Sequence, residues 1–296
     1  MKQPENLTSL IELLDDPDES IYGHVREQLL LIGADVIPTL ESAWESNLFG
    51  MLFQKRIEEL IHEIQFSLVK TSLTEWAANE SNTLLDGVLI VNRYQYPDFD
   101  QEETLGLLEQ IQKDIWLELN VNLTAFEQVK VMNHILFELH GFTGNTRDFH
   151  SPKNSFLSEV LQSRRGNPLS LSLIYAIIAQ NLDIPIYGIN LPRHFVLGYL
   201  DRFSLYKTNS IYKADALFFI NPFSKGAVFS HGEIDQFLSQ LKMDKKESYY
   251  KAATNVAIVK RILNNLEYSY EQLGNAPKVE EIQELKSVLS DTTESD

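Results

Sequence analysis

Apolar positions recur at helical spacing through the N-terminal part of the chain. Leu7, Leu10, Ile11, Leu13 and Leu14 form one stripe, and Val25, Leu29, Leu30 and Ile32 form a second that ends at Gly33. Asp15-Asp16-Pro17-Asp18 separates them, because Pro17 disfavours α geometry in the residue before it. A third stripe begins near Pro38, with Leu40 and Trp44, and a further series runs through Leu52, Phe53, Ile57, Leu60, Ile61, Ile64, Phe66 and Leu68. Residues 84–91 predict a short apolar helix, and 104–119 and 126–139 predict longer amphipathic ones. The segment 141–166 is polar and turn-rich, with Gly141, Gly144, Asn145, Pro152 and Asn154. Residues 169–179 are then apolar nearly all round, the mark of a buried helix. Short β-like runs follow at 184–190, 195–200 and 217–220. Val256, Val259, Ile262, Leu263 and Leu266, with Tyr270 one turn on, return the chain to helix, and a second short helix is expected near 278–289. The final DTTESD predicts a frayed acidic tail. Strands gathered after helices predict an α+β fold, mostly helical, with a small antiparallel sheet.

Composition narrows the chemistry more than the fold. With 44% hydrophobic residues in 296, the chain has ample material for a packed core. It has no cysteine, which excludes disulfides, thiolate catalysis and zinc–thiolate sites. A formal net charge of -17 repels phosphate backbones and anionic membrane surfaces, so neither nucleic acid nor membrane is the expected partner. The N-terminal MKQPENLTSLIELLDD carries acidic residues where a signal peptide needs an apolar stretch. The longest largely apolar run, 168–179, is far short of the ~20 residues a membrane helix needs. A cytoplasmic protein is expected. No Gly-rich phosphate loop is present. His24, His62, His134, His140, His150 and His231 show no metal-ligand spacing, so no cofactor and no metal are expected.

Two places concentrate candidate chemistry. In Arg164-Arg165-Gly166-Asn167-Pro168-Leu169-Ser170-Leu171-Ser172, Asn167 is a good N-cap and Pro168 suits the first helical position. A helix start offers free N–H groups and positive potential to an anion, although simple capping of a core helix explains the same residues. In Leu191-Pro192-Arg193-His194-Phe195, His194 opens a strand, where it can serve as a general base or as a packed core residue. Asn221, in Phe219-Ile220-Asn221-Pro222-Phe223, can orient a histidine ring or cap a turn.

These pieces, in this order, carry a resemblance. The run RRGNPLSLSLIYAIIAQNLDIPIYGINLPRHFVLGYLD, followed by FFINPFSKG, resembles the SirB-type branch of the transglutaminase-like superfamily. FTGN at 142–145, NSFLSEVLQSRRG at 154–166 and the C-terminal TNVAIVKRILNNLEYSYEQLGN are also similar to that family. The resemblance implies a cysteine opening the core helix, a histidine on a following strand and an aspartate on the next, an activated-nucleophile arrangement. Here His194 stands at the histidine position, Asn221 at the aspartate position and Pro168 at the cysteine position. Pro168 has no nucleophilic atom, whereas Asn221 retains a group that can orient an imidazole. Ser170 lies ~200° around the helix from Pro168, and Ser172 lies on the same face but ~6 Å deeper, so neither substitutes simply for a thiol.

The first residues, LIELLDDPDESIYGHVREQLLLIGADVIPTLESAW, resemble one HEAT-type helical pair, with a degenerate second pair at 51–78. The family's members often end in tetratricopeptide-like helices. The expected organisation is a HEAT-like region at 1–80, a transglutaminase-like core at 81–245, and C-terminal helices with the acidic tail at 246–296. The expected function is a non-catalytic binding or regulatory module that meets a protein or peptide partner through a degenerate cleft lined by His194 and Asn221. The alternative is a hydrolase or acyl transferase of the same superfamily that uses Ser170, Ser172 or a water activated by His194.

Overall fold

The structure, a computed structural model, describes residues 7–46 and 50–289. The chain divides into two compact units, Met1–Thr74 and Glu75–Asp296. The acidic tail expected at DTTESD lies outside the described residues.

In the first unit the apolar stripes become α1 (Leu7–Glu12), α2 (Glu19–Ile32), α3 (Ile37–Glu45) and the start of α4 (Met51–Ala78). Their core gathers Leu14, Leu29, Val36, Leu40, Phe53 and Ile57. The Asp-Pro turn ends the first helical stretch as expected, and Asp18 in addition caps α2 by accepting from Ser20 N at 2.8 Å. Arg56 was not legible in the stripes. Its guanidinium donates to Leu14 O (2.8 Å), Asp16 O (2.7 Å) and Glu19 Oε1 (2.8 Å), and stacks over the Tyr22 ring. It thereby satisfies carbonyls that the chain loses on leaving helix geometry. One expectation needs correction. Residues 51–78 form a single unbroken helix rather than a second helical pair. The segment contains neither Gly nor Pro, so nothing in it stops the helix.

The second unit begins with α5 (Leu84–Gln95), α6 (Gln101–Glu118) and α7 (Ala125–Asn133), the last continuing into a π-helical stretch at His134–Leu139. The turn-rich segment then makes a two-residue parallel ladder between β1 (Thr143–Gly144) and β2 (Arg165–Gly166), with α8 (Leu157–Ser163) between them. The buried helix is α9 (Pro168–Asn181), every residue of which from Leu169 to Ala179 is buried.

The sheet follows as β3 (Ile186–Leu191), β4 (His194–Leu200), β5 (Ala216–Asn221) and β6 (Ala227–Phe229), all antiparallel, in chain order. Short helices α10 (Arg202–Thr208) and α11 (His231–Gln240) flank β5 and β6 in sequence. Ile189, Leu191, Val196, Leu200 and Phe219 join Ile234 and Leu238 of α11 in one core cluster. Side chains alternate across a strand, so the intervening residues point the other way, where α9 packs on β3 and β4. The chain closes with α12 (Asn255–Gln272) and α13 (Ala276–Val288), which pack on each other, and α12 also packs on α5. Tyr270 donates to Gln95 Oε1 (2.9 Å) and Tyr94 to Glu281 Oε2 (2.7 Å), tying both C-terminal helices to α5. Among the described residues no helix is long and apolar enough to cross a membrane.

Two asparagines, Asn133 half-buried and Asn92 buried, hold elements that are distant in sequence. Asn133 accepts from the Tyr175 hydroxyl (3.1 Å) and donates to Gly226 O (2.9 Å). Gly226 has φ +72, and a Cβ there would fall 1.9 Å from Asn133 Oδ1, so the position requires glycine. Asn92, fully buried on α5, accepts from both the N–H and the hydroxyl of Ser158 (3.0 and 2.9 Å). It acts as an N-cap supplied from another helix, because Phe156 at the start of α8 has no side-chain acceptor. Replacing it (Asn92→Ala) leaves both Ser158 donors buried without a partner. The expected cost is about 1–3 kcal/mol, read from urea denaturation. A loss below a few tenths of that would contradict the assignment.

Candidate functional site

The site is built around the first turn of α9. Asn167 Oδ1 accepts from Ser170 N (2.9 Å) and Ser170 Oγ accepts from Asn167 N (3.0 Å), a reciprocal capping box. Asn167 Nδ2 donates onward to Ser155 Oγ (3.1 Å). Pro168 follows at the first helical position, where its missing N–H costs nothing. Gly166 allows the arrangement, because a Cβ there would lie 2.5 Å from Ser170 Oγ. The β1–β2 ladder fixes the approach, with Asn145 N donating to Gly166 O (2.9 Å).

Pro168 and His194 line one cleft of about 180 Å³. Its other walls include Phe149, His150, Leu169 and Phe195, together with Arg193, Arg261, Asn265, Tyr268 and Ser269. His194 is the first residue of β4, paired with Leu191 across a two-residue turn, and Arg193 in that turn has φ 61. The ring meets Phe237 edge to face at 4.8 Å. Among the described residues it has no hydrogen-bond partner. Burial, and secondarily the Arg261 cation, push its pKa below the usual imidazole value. Arg261, half-buried on α12, donates through Nη1 to Asn190 Oδ1 (3.2 Å) and Leu191 O (3.4 Å). Burial lowers its pKa as well. His150 and Tyr268 meet edge to face at 5.4 Å across the same cleft.

The other expected site residues lie elsewhere. Asn221 Oδ1 accepts from Phe223 N (3.1 Å) and Ser224 N (3.4 Å), and its Nδ2 donates to Ser224 Oγ (3.2 Å). It caps the turn after β5, the second of the two roles its position allowed, and no hydrogen bond joins it to the His194 ring among the described residues. Its influence on the cleft passes through Phe223, whose ring packs at 6.1 Å from Phe149 in the wall. The Ser170 hydroxyl is committed to the capping box, and Ser172 Oγ donates to Pro168 O (2.7 Å). Both serines are buried, and neither lines the cleft. Ser269 does line it, but its hydroxyl donates to Asn265 O (2.8 Å). Among the described residues no three His, Asp or Glu side chains gather as metal ligands would.

Arg261, Asn265, Tyr268 and Ser269 escaped the sequence reading, which followed only the apolar positions of this helix. The signal was present, because they recur at helical spacing beside the apolar stripe of α12.

The profile of the transglutaminase-like superfamily matches residues 102–264, a span that contains Pro168, His194, Asn221 and Arg261. A UPF0162 protein of Xylella fastidiosa is 32% identical over 120 residues, 40% of this chain and 42% of its own length. A UPF0162 protein of Pseudomonas aeruginosa is 26% identical over 200 residues, 67% of this chain and 68% of its own length. F-box only protein 21 of Homo sapiens is 39% identical over 66 residues, 22% of this chain and 10% of its own length. The chain thus spans about two fifths of the length of the Xylella relative. No solved structure matches it.

The electrostatics of the cleft predict a titration. His194 should titrate below 6.5 in an NMR pH series, and Arg261→Gln should move its midpoint upward by removing the repelling cation. A folded pKa below the unfolded one means that the unfolded chain binds the proton more readily. The stability associated with His194 is therefore fully present above 6.5 and lost as pH falls from 6.5 through the lower folded-state pKa. A midpoint at or above 6.5 in the native protein would contradict the placement.

Proposed function

This chain belongs to the transglutaminase-like superfamily, in its SirB-type branch, and we propose that it acts there as a non-catalytic binding or regulatory module. The observation that carries this reading is Pro168 at the cleft-facing start of α9, where nucleophilic members of the superfamily need a thiol. A proline ring offers neither a nucleophile nor an N–H to hold an oxyanion. The hydroxyls nearest to it in sequence are bound into the helix cap and the helix backbone. Asn221, which would orient the imidazole, is occupied with its own turn. What remains is a small concave surface with aromatic and basic walls, a form that suits recognition of one group of a protein or peptide partner.

The competing reading is a hydrolase or acyl transferase that uses a serine or a water. One observation favours it: the His194 pKa is lowered, which favours the neutral ring, and its ring nitrogens are unpartnered among the described residues, as a general base for water requires. Turnover separates the two. The purified protein is incubated with 4-nitrophenyl acetate and with a glutamine peptide plus an amine donor, beside a His194→Ala variant. The binding reading expects both proteins to match the buffer background. Turnover that disappears in His194→Ala, with an unchanged melting curve, would overturn it.

A further inference from the structure

The cleft has a charge character opposite to that of the chain. The protein carries 42 acidic and 25 basic side chains, yet Arg193, Arg261, His150 and His194 line this cleft and no carboxylate does. The half-buried Arg164 bonds His140 (Nδ1 at 3.0 Å, O at 2.7 Å) and not an acid, but three half-buried lysines elsewhere in the second unit have acidic partners: Lys251 with Asp215 (2.6 Å), Lys278 with Glu281 (3.1 Å), and Lys286 with Glu267. Arg261 has none among the described residues. Its Nη1 is spent on Asn190 Oδ1 and Leu191 O, which fixes the guanidinium plane. The Nε–Nη2 edge is left without a protein partner in a cleft that the residue lines. Such an edge presents two parallel N–H donors at the spacing of the two oxygens of a carboxylate.

We propose that this cleft is a receptor for a single carboxylate of a peptide partner, gripped by the free edge of Arg261 and flanked by Arg193 and His150. The proposal rests on the binding-module reading above and names the chemistry that the module recognises. A carboxylate fits better than a phosphate for three reasons. The volume of about 180 Å³ suits one small group. The walls from Phe149, Leu169 and Phe195 are apolar and suit the carbon that bears it. The imidazole that would help neutralise a second negative charge has a lowered pKa, which disfavours its charged form.

The test titrates acetate, and separately inorganic phosphate, into the full chain at constant ionic strength, with sodium chloride as the balancing salt. Chemical shifts of the Arg261 Nε–H and the His194 ring report binding. Acetate should shift both in a saturable way, and it should bind about tenfold more weakly to Arg261→Gln, the loss expected for a charge-assisted bond. Arg261→Lys keeps the charge without the fork and should weaken acetate as well, while Arg193→Gln, in an exposed turn, should weaken it less. A response to acetate no larger than to chloride would overturn the proposal. So would affinity unchanged in Arg261→Gln, or phosphate binding more tightly than acetate. The turnover assay with His194→Ala is independent of these outcomes, so loss of the carboxylate proposal and loss of the non-catalytic reading are told apart.

Discussion

The reciprocal hydrogen bonds between Asn167 and Ser170 set where α9 begins, and the placement of the cleft depends on that point. α9 is buried along almost its whole length, with the sheet packed against it. A buried helix cannot leave its first N–H groups to water, so a side chain must meet them, and the cap must be compact. Gly166 supplies the room, and the β1–β2 ladder supplies the direction of approach. With the start so fixed, Pro168 lines the same cleft as His194, the first residue after the β3–β4 turn. The same cap withdraws Ser170 from chemistry. The interaction that preserves the architecture of the site is thus also one that removes a substitute nucleophile.

Much of this was legible because it rests on local rules. The all-round apolar run with Asn-Pro before it announced α9 and its cap, and the short apolar runs announced β3, β4 and β5. β6 was not legible, since three residues carry too little pattern. α11 could have been read: Ser230 and Glu233 form a capping box ahead of Ile234 and Leu238. The continuous α4 was misread as a pair because its stripe suggested a repeat, although no breaker interrupts it. At the site, Pro168 and His194 were found through the order of motifs, whereas Arg261 and Tyr268 were not. They come from a helix far along the chain, and only folding brings them to the same cleft. Asn221 shows the limit of motif order: it holds the expected position, yet its amide serves the backbone beside it.

The electrostatic account follows from burial and not from net charge. The acidic excess of the chain lies outside this cleft, whose walls hold two guanidinium groups and two imidazoles. Partial burial, and secondarily the Arg261 cation, disfavour a positive charge on the His194 ring and lower its pKa. An active cysteine site would set a thiolate against that cation and that ring. No carboxylate lines this cleft to answer its two guanidinium groups.

The central claim is that Pro168 stands beside His194 where a catalytic thiol would stand, with no nucleophile there and no orienting bond from Asn221. Because the chain has no cysteine, Pro168→Cys would introduce a single, unambiguous probe. The rate of its alkylation by iodoacetamide as a function of pH gives the thiol pKa, with and without His194→Ala. The account predicts a value well below the ordinary ~8.5 of a free thiol, rising when His194 is removed. A pKa at or above that value, indifferent to His194, would show that Pro168 and His194 share a cleft without sharing an active-site geometry.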